Sequence, residues 1–337
     1  MGNWLRAVED MERLRIAIDG STGFIGANLS EYFQMKGHEI HAIMRKDSNP
    51  WRIHKIKKEI TSHALDITKR KATFDLVKKI RPDVFIHAAA YGGYHFETDW
   101  DDIFTANLFG TANVLDANIS SSVPLFINTG SSSEYGLKDR PMKESDKINP
   151  ETDYAVSKAL ATEYCSFRSN AVTKNITLRL FSAYGYYEER HRLIPYILYS
   201  AIKGSTINLN NPANVRDYIF IEDVVSAYYS AIKRQANLAS GSIFNVGTGK
   251  QLTTQDIVKI ARKVMNSDLL VKFGNVPGRE GDKAKKWQAD TRKTTSKLKW
   301  KPSNNIYAGL LKTKKWMEHN IELYEDGKNG KFRKHRQ

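Results

Sequence analysis

The stretch Leu14-Arg-Ile-Ala-Ile-Asp-Gly20-Ser-Thr-Gly23-Phe-Ile-Gly26 decides the fold, because a short apolar run leads directly into a cluster of glycines. Residues 14–19 are predicted to form a strand, and residues 24–36 carry helical periodicity that Gly37 ends. The glycines let the backbone approach a pyrophosphate, and the amides of the helix start point toward it. The predicted dinucleotide-binding residues of this turn are Gly20, Gly23, Phe24, Ile25 and Gly26. The spacing differs by one residue from G-x-G-x-x-G, so a plain strand, turn and helix is the alternative.

Further short apolar runs share the strand pattern and have helical stretches between them, at residues 39–44, 84–87, 125–128 and 176–181. This alternation predicts parallel βαβ units and therefore an α/β fold with a doubly wound parallel sheet of the Rossmann type. Beyond Tyr186 the pattern loosens, and we expect a smaller substrate-binding lobe that interleaves with the first domain. The predicted divisions are an N-terminal extension (1–13), a dinucleotide-binding domain (14–186 and about 213–248), the substrate-binding lobe (187–212 and 249–320) and a basic tail (321–337).

The composition excludes several classes of protein. The chain has 337 residues, of which 41% are hydrophobic, and Cys165 as its one cysteine, so we expect a globular protein without an internal disulfide. No uncharged apolar run approaches the roughly 18 residues that span a bilayer, and we expect a cytoplasmic protein without a membrane partner. The net charge of +15 favours anionic partners. No zinc spacing accompanies that charge, so we predict neither a nucleic-acid partner nor a metal site.

The end of the second predicted strand, Met44-Arg-Lys-Asp47, bears on the choice of cofactor. In this fold an acidic residue at that position accepts a hydrogen bond from a ribose hydroxyl, whereas a basic residue accommodates a 2′-phosphate. Arg45 and Lys46 therefore favour NADP, and Asp47 keeps NAD possible.

A Tyr-x-x-x-Lys pair places both side chains on one face of a helix, and the chain contains five such pairs. Only Tyr154 and Lys158 follow a predicted strand that ends in serines, at residues 131–133, with Asn149-Pro150 breaking the chain before the helix. Hydroxyl groups at the end of a parallel strand, beside a helix that carries Tyr and Lys, predict an active site at this edge of the sheet.

With these motifs in order, residues 14–318 resemble the extended short-chain dehydrogenase/reductase family, in its branch of nucleotide-sugar epimerases, dehydratases and 4-keto reductases. The motifs that carry the resemblance are Gly20-x-x-Gly23-x-x-Gly26, Asp66-Ile67, His87-Ala-Ala-Ala90, Asn107-x-x-Gly110-Thr111, Ser131-Ser-Ser133, Tyr154-x-x-x-Lys158, Leu178-Arg-Leu-Phe181, Arg216-Asp-Tyr218, Phe244-Asn-Val-Gly-Thr-Gly249, Arg279-Glu-Gly-Asp282 and Ala289-Asp290. The resemblance implies an NAD(P)-dependent enzyme for nucleotide-diphosphate sugars. It also implies a homodimer, in which the helix around residues 107–115 pairs with the Tyr154 helix across a two-fold axis.

The resemblance further implies roles for single residues. Tyr154 would be the catalytic acid/base, and Lys158 would bind the nicotinamide ribose. Ser131 would hydrogen-bond the reacting sugar oxygen, or Ser132 if the turn differs by one residue. The other implied cofactor contacts are Asp66, Ile67, Ala88, Ala89, Ala90 and Asn107. The implied contacts to the sugar nucleotide are Ser132, Ser182, Arg216 and Arg279, with the two arginines on its diphosphate. A free tyrosine has a pKa of about 10, and we expect the charge of Lys158 to lower the pKa of Tyr154.

Positions at which this chain differs from the family pattern reduce the number of reactions that we consider. Dehydratases of the family have acidic residues two or three positions before the Tyr-Gly pair, where this chain has Ser132 and Ser133, so dehydration is disfavoured. Two reactions at C4 of a nucleotide-linked hexose stay open. Arg45 and Lys46 favour an NADPH-dependent 4-keto-6-deoxyhexose reductase, whereas the frequency of epimerases in the family favours a 4-epimerase. A non-catalytic dinucleotide-binding regulator is the remaining alternative, and the loop at residues 91–94 has no assigned role.

Overall fold

The computed structural model describes residues 12–94, 96–169, 172–274 and 284–325, and its centre is a seven-stranded parallel sheet. Its strands are β1 (Arg15–Asp19), β2 (Glu39–Met44), β3 (Thr61–Ala64), β4 (Val84–His87), β5 (Leu125–Ser131), β6 (Lys174–Leu180) and β11 (Ser242–Val246). Their spatial order is β11-β6-β5-β4-β1-β2-β3, so the direction of winding reverses between β1 and β4. This arrangement confirms the doubly wound fold, and ligands of such folds bind in the crevice where the strand order reverses.

Helices follow most of the strands. They are α1 (Phe24–Met35), α2 (Arg70–Ile80), α3 (Trp100–Phe104), α4 (Gly110–Ser120), α5 (Asp153–Phe167), α6 (Leu193–Ile202), α7 (Ile221–Arg234), α8 (Thr254–Met265), α9 (Arg292–Leu298) and α10 (Ile306–His319). A π-helical turn at Thr105–Phe109 joins α3 to α4. Within the described ranges, no helix has the length and apolar character that a membrane crossing requires.

The side chains of β1 alternate between two apolar layers. Ile16 and Ile18 belong to a buried cluster that includes residues of α1 and α7, whereas Ala17 belongs to a second cluster with Val114 of α4 and Phe126 of β5. Because successive residues of a strand point to opposite faces, the sheet is covered by helices on both sides.

Among the described residues, the second half of the chain adds three two-stranded sheets. They pair β7 (Ser182–Tyr184) with β10 (Tyr218–Phe220), β9 (Val215–Arg216) with β12 (Leu252–Thr253), and β8 (Ile207–Leu209) with β13 (Val271–Phe273). Between these elements the chain returns to the main sheet through β11, which pairs with β6. The predicted domain boundaries stay a prediction, and residues 1–11 of the extension and residues 326–337 of the tail lie outside the described residues.

Strand β3 is missed by the sequence analysis. Its sequence, Thr61-Ser-His-Ala64, has no apolar run because the strand lies at the sheet edge and is largely exposed. The predicted strand at 125–128 continues to Ser131, since β6 pairs with it over that whole length. Ser131, the predicted active-site serine, therefore belongs to the sheet itself.

Candidate active site

The glycine turn after β1 leaves no room for side chains. Gly20 has a φ of +61°, and a Cβ there would lie 2.6 Å from the amide nitrogen of Ala89. A Cβ on Gly26 would lie 2.3 Å from the carbonyl oxygen of Gly20. Helix α1 begins directly after Gly23, which has no side chain to cap the amides of the first turn. Those amides need an acceptor, so the turn fits the diphosphate of a dinucleotide.

Asp19, at the end of β1, fixes the crevice between β1 and β4. Its Oδ1 accepts hydrogen bonds from the amides of Ala88 and Ala89, at 2.7 and 2.8 Å. Its Oδ2 lies 2.5 Å from Nδ1 of His87, whose Nε2 lies 2.8 Å from Oγ1 of Thr111. The sequence analysis did not single out Asp19, although an acidic residue that ends an apolar strand is the available signal.

The basic residues proposed to recognise the cofactor lie at the end of β2. The side chain of Arg45 is 53% exposed, and its Nε lies 3.9 Å from Oδ1 of Asp47, whose side chain is 59% exposed. Lys46 is exposed as well. Because this ion pair is long and solvated, the guanidinium of Arg45 keeps most of its hydrogen-bonding capacity for another anion.

The predicted catalytic residues come together. Ser131 ends β5, and its hydroxyl lies beside the phenol of Tyr154, near the start of α5, where it acts to lower the pKa of that phenol. The hydroxyl of Ser131 also lies 2.8 Å from that of Ser133. Lys158 lies one turn further along α5 and is 2% exposed. Two separate elements thus deliver a hydroxyl, a phenol and an amine to one place.

Burial dominates the electrostatics of this group. It raises the pKa of Tyr154, although the hydrogen bond from Ser131 and the charge of Arg192 act in the opposite direction. It also lowers the pKa of Lys158, against the attraction of Glu134. The cost of burying the phenolate outweighs these neighbouring charges. The expected lowering of the Tyr154 pKa by Lys158 stays a prediction for the enzyme with its dinucleotide bound.

Ser131, Tyr154 and Lys158 line a cavity of about 600 Å³. The other predicted site residues that line it are Phe24, Ile25, Ala88, Ala90, Ser132, Ser182 and Arg216. Those that do not line it are Gly20, Gly23, Gly26, Arg45, Lys46, Asp66, Ile67, Ala89 and Asn107. Arg279 lies outside the described residues. Within the described ranges, no group of three or more potential ligands is arranged to hold a metal ion.

Asn107 is buried and connects α5 to the loop after β4. Its amide nitrogen donates to the backbone oxygen of Tyr91 and to the hydroxyl of Ser157, and its oxygen accepts from the amide of Tyr91. Asp66 accepts from the amide and hydroxyl of Thr68, while the side chain of Ile67 packs against Gly110. The assigned cofactor contacts of these residues stay predictions.

The positions that hold acids in dehydratases carry only hydroxyls. Ser132 accepts a hydrogen bond from the indole nitrogen of Trp287 at 3.1 Å. The neighbouring acid, Glu134, does not line the cavity: it is fully buried, accepts from the amide of Ser131 at 2.6 Å and pairs with Arg179 at 2.6 Å. Glu134 thus supports the serine turn from behind.

The cavity also contains residues that the sequence analysis did not assign, namely Tyr94, Glu97, Glu188, Arg192 and Trp287. Glu97 holds the loop after β4, because its carboxylate accepts from the amides of Gly92 and Tyr94. The guanidinium carbon of Arg216 lies 4.9 Å from the ring centre of Trp287, which places a stacked cation on the cavity wall.

The chain is similar to known enzymes that act on nucleotide sugars. The model of the NAD dependent epimerase/dehydratase family matches residues 16–247. A UDP-glucose 4-epimerase from Lactobacillus helveticus is 25% identical, over 93% of this chain and 100% of that protein. A CDP-abequose synthase from Salmonella typhimurium is 25% identical, over 88% of this chain and 95% of that protein.

A solved structure extends the likeness to three dimensions. The UDP-glucose 4-epimerase of Thermus thermophilus, in complex with NAD, superposes with a TM-score of 0.80 at 22% identity, over 90% of this chain and 99% of that one. At that identity the match shows a shared fold.

Proposed function

Because the chain belongs to the NAD dependent epimerase/dehydratase family of enzymes, we propose that it transfers hydride between a nicotinamide dinucleotide and C4 of a hexose carried on a nucleoside diphosphate. The observation that carries this proposal is that Ser131, Tyr154 and Lys158 line one cavity together with Phe24 and Ile25 of the glycine turn. A dinucleotide held at that turn has its reactive ring within the same cavity.

The residues of the chain divide the proton chemistry between them. A bound nicotinamide supplies or accepts the hydride. Tyr154 donates a proton to O4 when a 4-ketosugar is reduced and accepts it when the 4-hydroxyl is oxidised. Ser131, which lines the cavity beside the phenol, holds O4 in line with it. Lys158 donates to the ribose of the dinucleotide and stabilises the phenolate when it forms.

One observation favours a reductase that consumes NADPH and acts on a 4-keto-6-deoxyhexose. Arg45, exposed at the end of β2, suits a 2′-phosphate. The second candidate is a 4-epimerase using NAD, which is favoured by the full-length similarity to the Lactobacillus helveticus enzyme.

Three residues of the cavity lining suit the nucleotide part of the substrate. Arg216 offers a cation stacked on Trp287, and the amide of Ser182 donates to the backbone oxygen of Asp217, the residue after Arg216. We assign Arg216 to the diphosphate of the sugar nucleotide and keep Arg279 as its proposed second clamp. Arginine suits this role because its planar fork matches phosphate oxygens.

We also propose that the protein forms a homodimer. Large apolar side chains are exposed on the two helical segments that the family resemblance pairs across a two-fold axis. They are Trp100 (65%) and Phe109 (60%) around α3 and α4, and Leu160 (43%) and Phe167 (80%) on α5. Apolar groups grouped in this way mark an interface with a partner.

The decisive experiment incubates the protein with a panel of nucleotide sugars and 4-keto-6-deoxy nucleotide sugars, with and without NADPH deuterated at the transferable position. A reductase places deuterium at C4 of the product and consumes one NADPH per turnover. Conversion of a 4-hydroxy sugar into its C4 epimer, without deuterium and without added cofactor, would establish the epimerase instead. Failure to convert any member of the panel would reject both.

A further inference from the structure

Glu188 is a buried acid on the cavity wall to which the proposed chemistry assigns no role. It is 4% exposed, and its Oε2 has no hydrogen-bond partner among the described residues. Native proteins rarely leave a buried carboxyl oxygen without a partner, because desolvation without a hydrogen bond is unfavourable. An unsatisfied oxygen of this kind beside a ligand cavity indicates a partner that arrives with the ligand.

The neighbouring charges do not satisfy Glu188. Arg192 approaches with its Nε 3.7 Å from Oε1, which is beyond hydrogen-bond distance. Arg52 is committed elsewhere: it forms an ion pair with Glu189 and donates to the backbone oxygens of Tyr187 and Thr22. Burial raises the pKa of Glu188 to about 8, so much of it is protonated at neutral pH.

A series of contacts connects Glu188 to Tyr154, where the proposed reaction takes place. Arg192, its neighbour, donates a hydrogen bond to the carbonyl oxygen of Gly93 at 3.3 Å. A Cβ on Gly93 would lie 4.0 Å from Cε2 of Tyr154. Glu188, Arg192 and Gly93 therefore follow one another along the cavity wall toward the catalytic phenol.

We propose that Glu188 recognises the hexose, exchanging hydrogen bonds with a hydroxyl group of the sugar bound beside Tyr154. A protonated carboxyl both donates and accepts, as a sugar hydroxyl does, so the two groups match as neutral partners. A group built to bind a hydroxyl also penalises ligands that lack one, because it is then left unpaired in the cavity. This inference rests on the proposed function, since it requires a nucleotide sugar in the cavity.

The test measures how much the hexose adds to binding. Calorimetry gives dissociation constants for GDP, UDP, CDP and dTDP and for their glucose conjugates. For the nucleotide that binds best, we define the hexose gain as the dissociation constant of the free nucleotide divided by that of its glucose conjugate. Glu188→Met keeps the volume and removes the polar atoms, with Glu188→Ala as a second variant should the first fail to fold. Glu188→Gln keeps a neutral donor and acceptor. Glu189→Gln is the matched control, because that carboxylate pairs with Arg52 and does not line the cavity.

We expect Glu188→Met to reduce the hexose gain about tenfold, which is the effect of one lost hydrogen bond. Glu188→Gln and Glu189→Gln should stay within threefold of the wild type. An unchanged gain in Glu188→Met would overturn the inference and leave the proposed function standing. An equal loss of hexose gain in Glu188→Gln would assign Glu188 to charge pairing with Arg192. Weaker NADPH binding with an unchanged hexose gain would assign Glu188 to the cofactor. Either result would overturn the inference. A wild type without any hexose gain would also overturn the inference, and the panel with deuterated NADPH would then decide the proposed function separately.

Discussion

The substitution Gly26→Ala should weaken dinucleotide binding about 10- to 100-fold in a protein that still folds. The new Cβ would lie 2.3 Å from the oxygen and 2.8 Å from the carbon of the Gly20 carbonyl, and ordinary contact begins at 3.4 Å. The turn and the helix must therefore separate by about 1 Å. A displacement of that size removes at least one charge-assisted hydrogen bond to a phosphate, which contributes about 1.5–3 kcal/mol. The overpacking itself should cost about 1–3 kcal/mol of stability.

Fluorescence titration with NADPH measures the affinity, and thermal unfolding measures the stability. Gly37→Ala is the matched control, because Gly37 follows α1, has a φ of +84° and has nothing within 4 Å of the place that a methyl group would take. It should lose about 1–2 kcal/mol through backbone strain and bind NADPH as the wild type does. Gly23→Ala, with its Cβ 3.1 Å from the Gly20 oxygen, should fall between the two. A dissociation constant within threefold of wild type for Gly26→Ala would refute the close approach that we infer.

Tyr154→Phe should lower kcat by about 10²- to 10⁴-fold through loss of the proton donor, measured with the substrate that the panel identifies; a smaller loss would remove Tyr154 from the acid/base role. Arg45→Ala should weaken NADPH binding much more than NADH binding, by about 1.5–3 kcal/mol, and equal losses would exclude a 2′-phosphate contact. Arg216→Ala should raise KM for the nucleotide sugar more than it lowers kcat, because the diphosphate is bound alike in the ground and transition states; an unchanged KM would contradict the placement of the nucleotide. Phe109→Glu should convert the proposed dimer into a monomer in light scattering at micromolar concentration, and a wild type that is itself monomeric would contradict the interface.

The sequence was most informative where one strong pattern determined the structure. Strands β2 and β4 have the predicted bounds, because each is a short run rich in apolar residues. The meeting of Ser131 with Tyr154 was also predictable, since the carboxyl ends of parallel strands share one edge of the sheet. The edge strand β3 was not, because a strand with one neighbour and exposed faces needs no apolar pattern.

Glu188 and Arg192 of the cavity could not be predicted as site residues from the sequence, for a different reason. Glu188 and Arg192 occur in the run Glu188-Glu-Arg-His-Arg192, whose composition is that of a solvated surface segment. Only the folded chain shows that Glu188 is turned inward while Glu189 pairs with Arg52. Likewise, the raised pKa of Tyr154 follows from its burial in the folded chain, which a sequence does not report.

Asp19 binds groups that lie 68 to 70 residues further along the chain, at His87, Ala88 and Ala89. Closing so long a loop is entropically unfavourable, so these contacts form only after β1 and β4 have come together. The unfolded chain consequently has no crevice for the dinucleotide, and binding acts on the native state alone. A ligand with that preference adds about 2.7 kcal/mol to the free energy of unfolding at a hundredfold excess over its Kd. The concentration of dinucleotide would then determine the resistance of the folded chain to heat and proteases, in addition to the rate of catalysis.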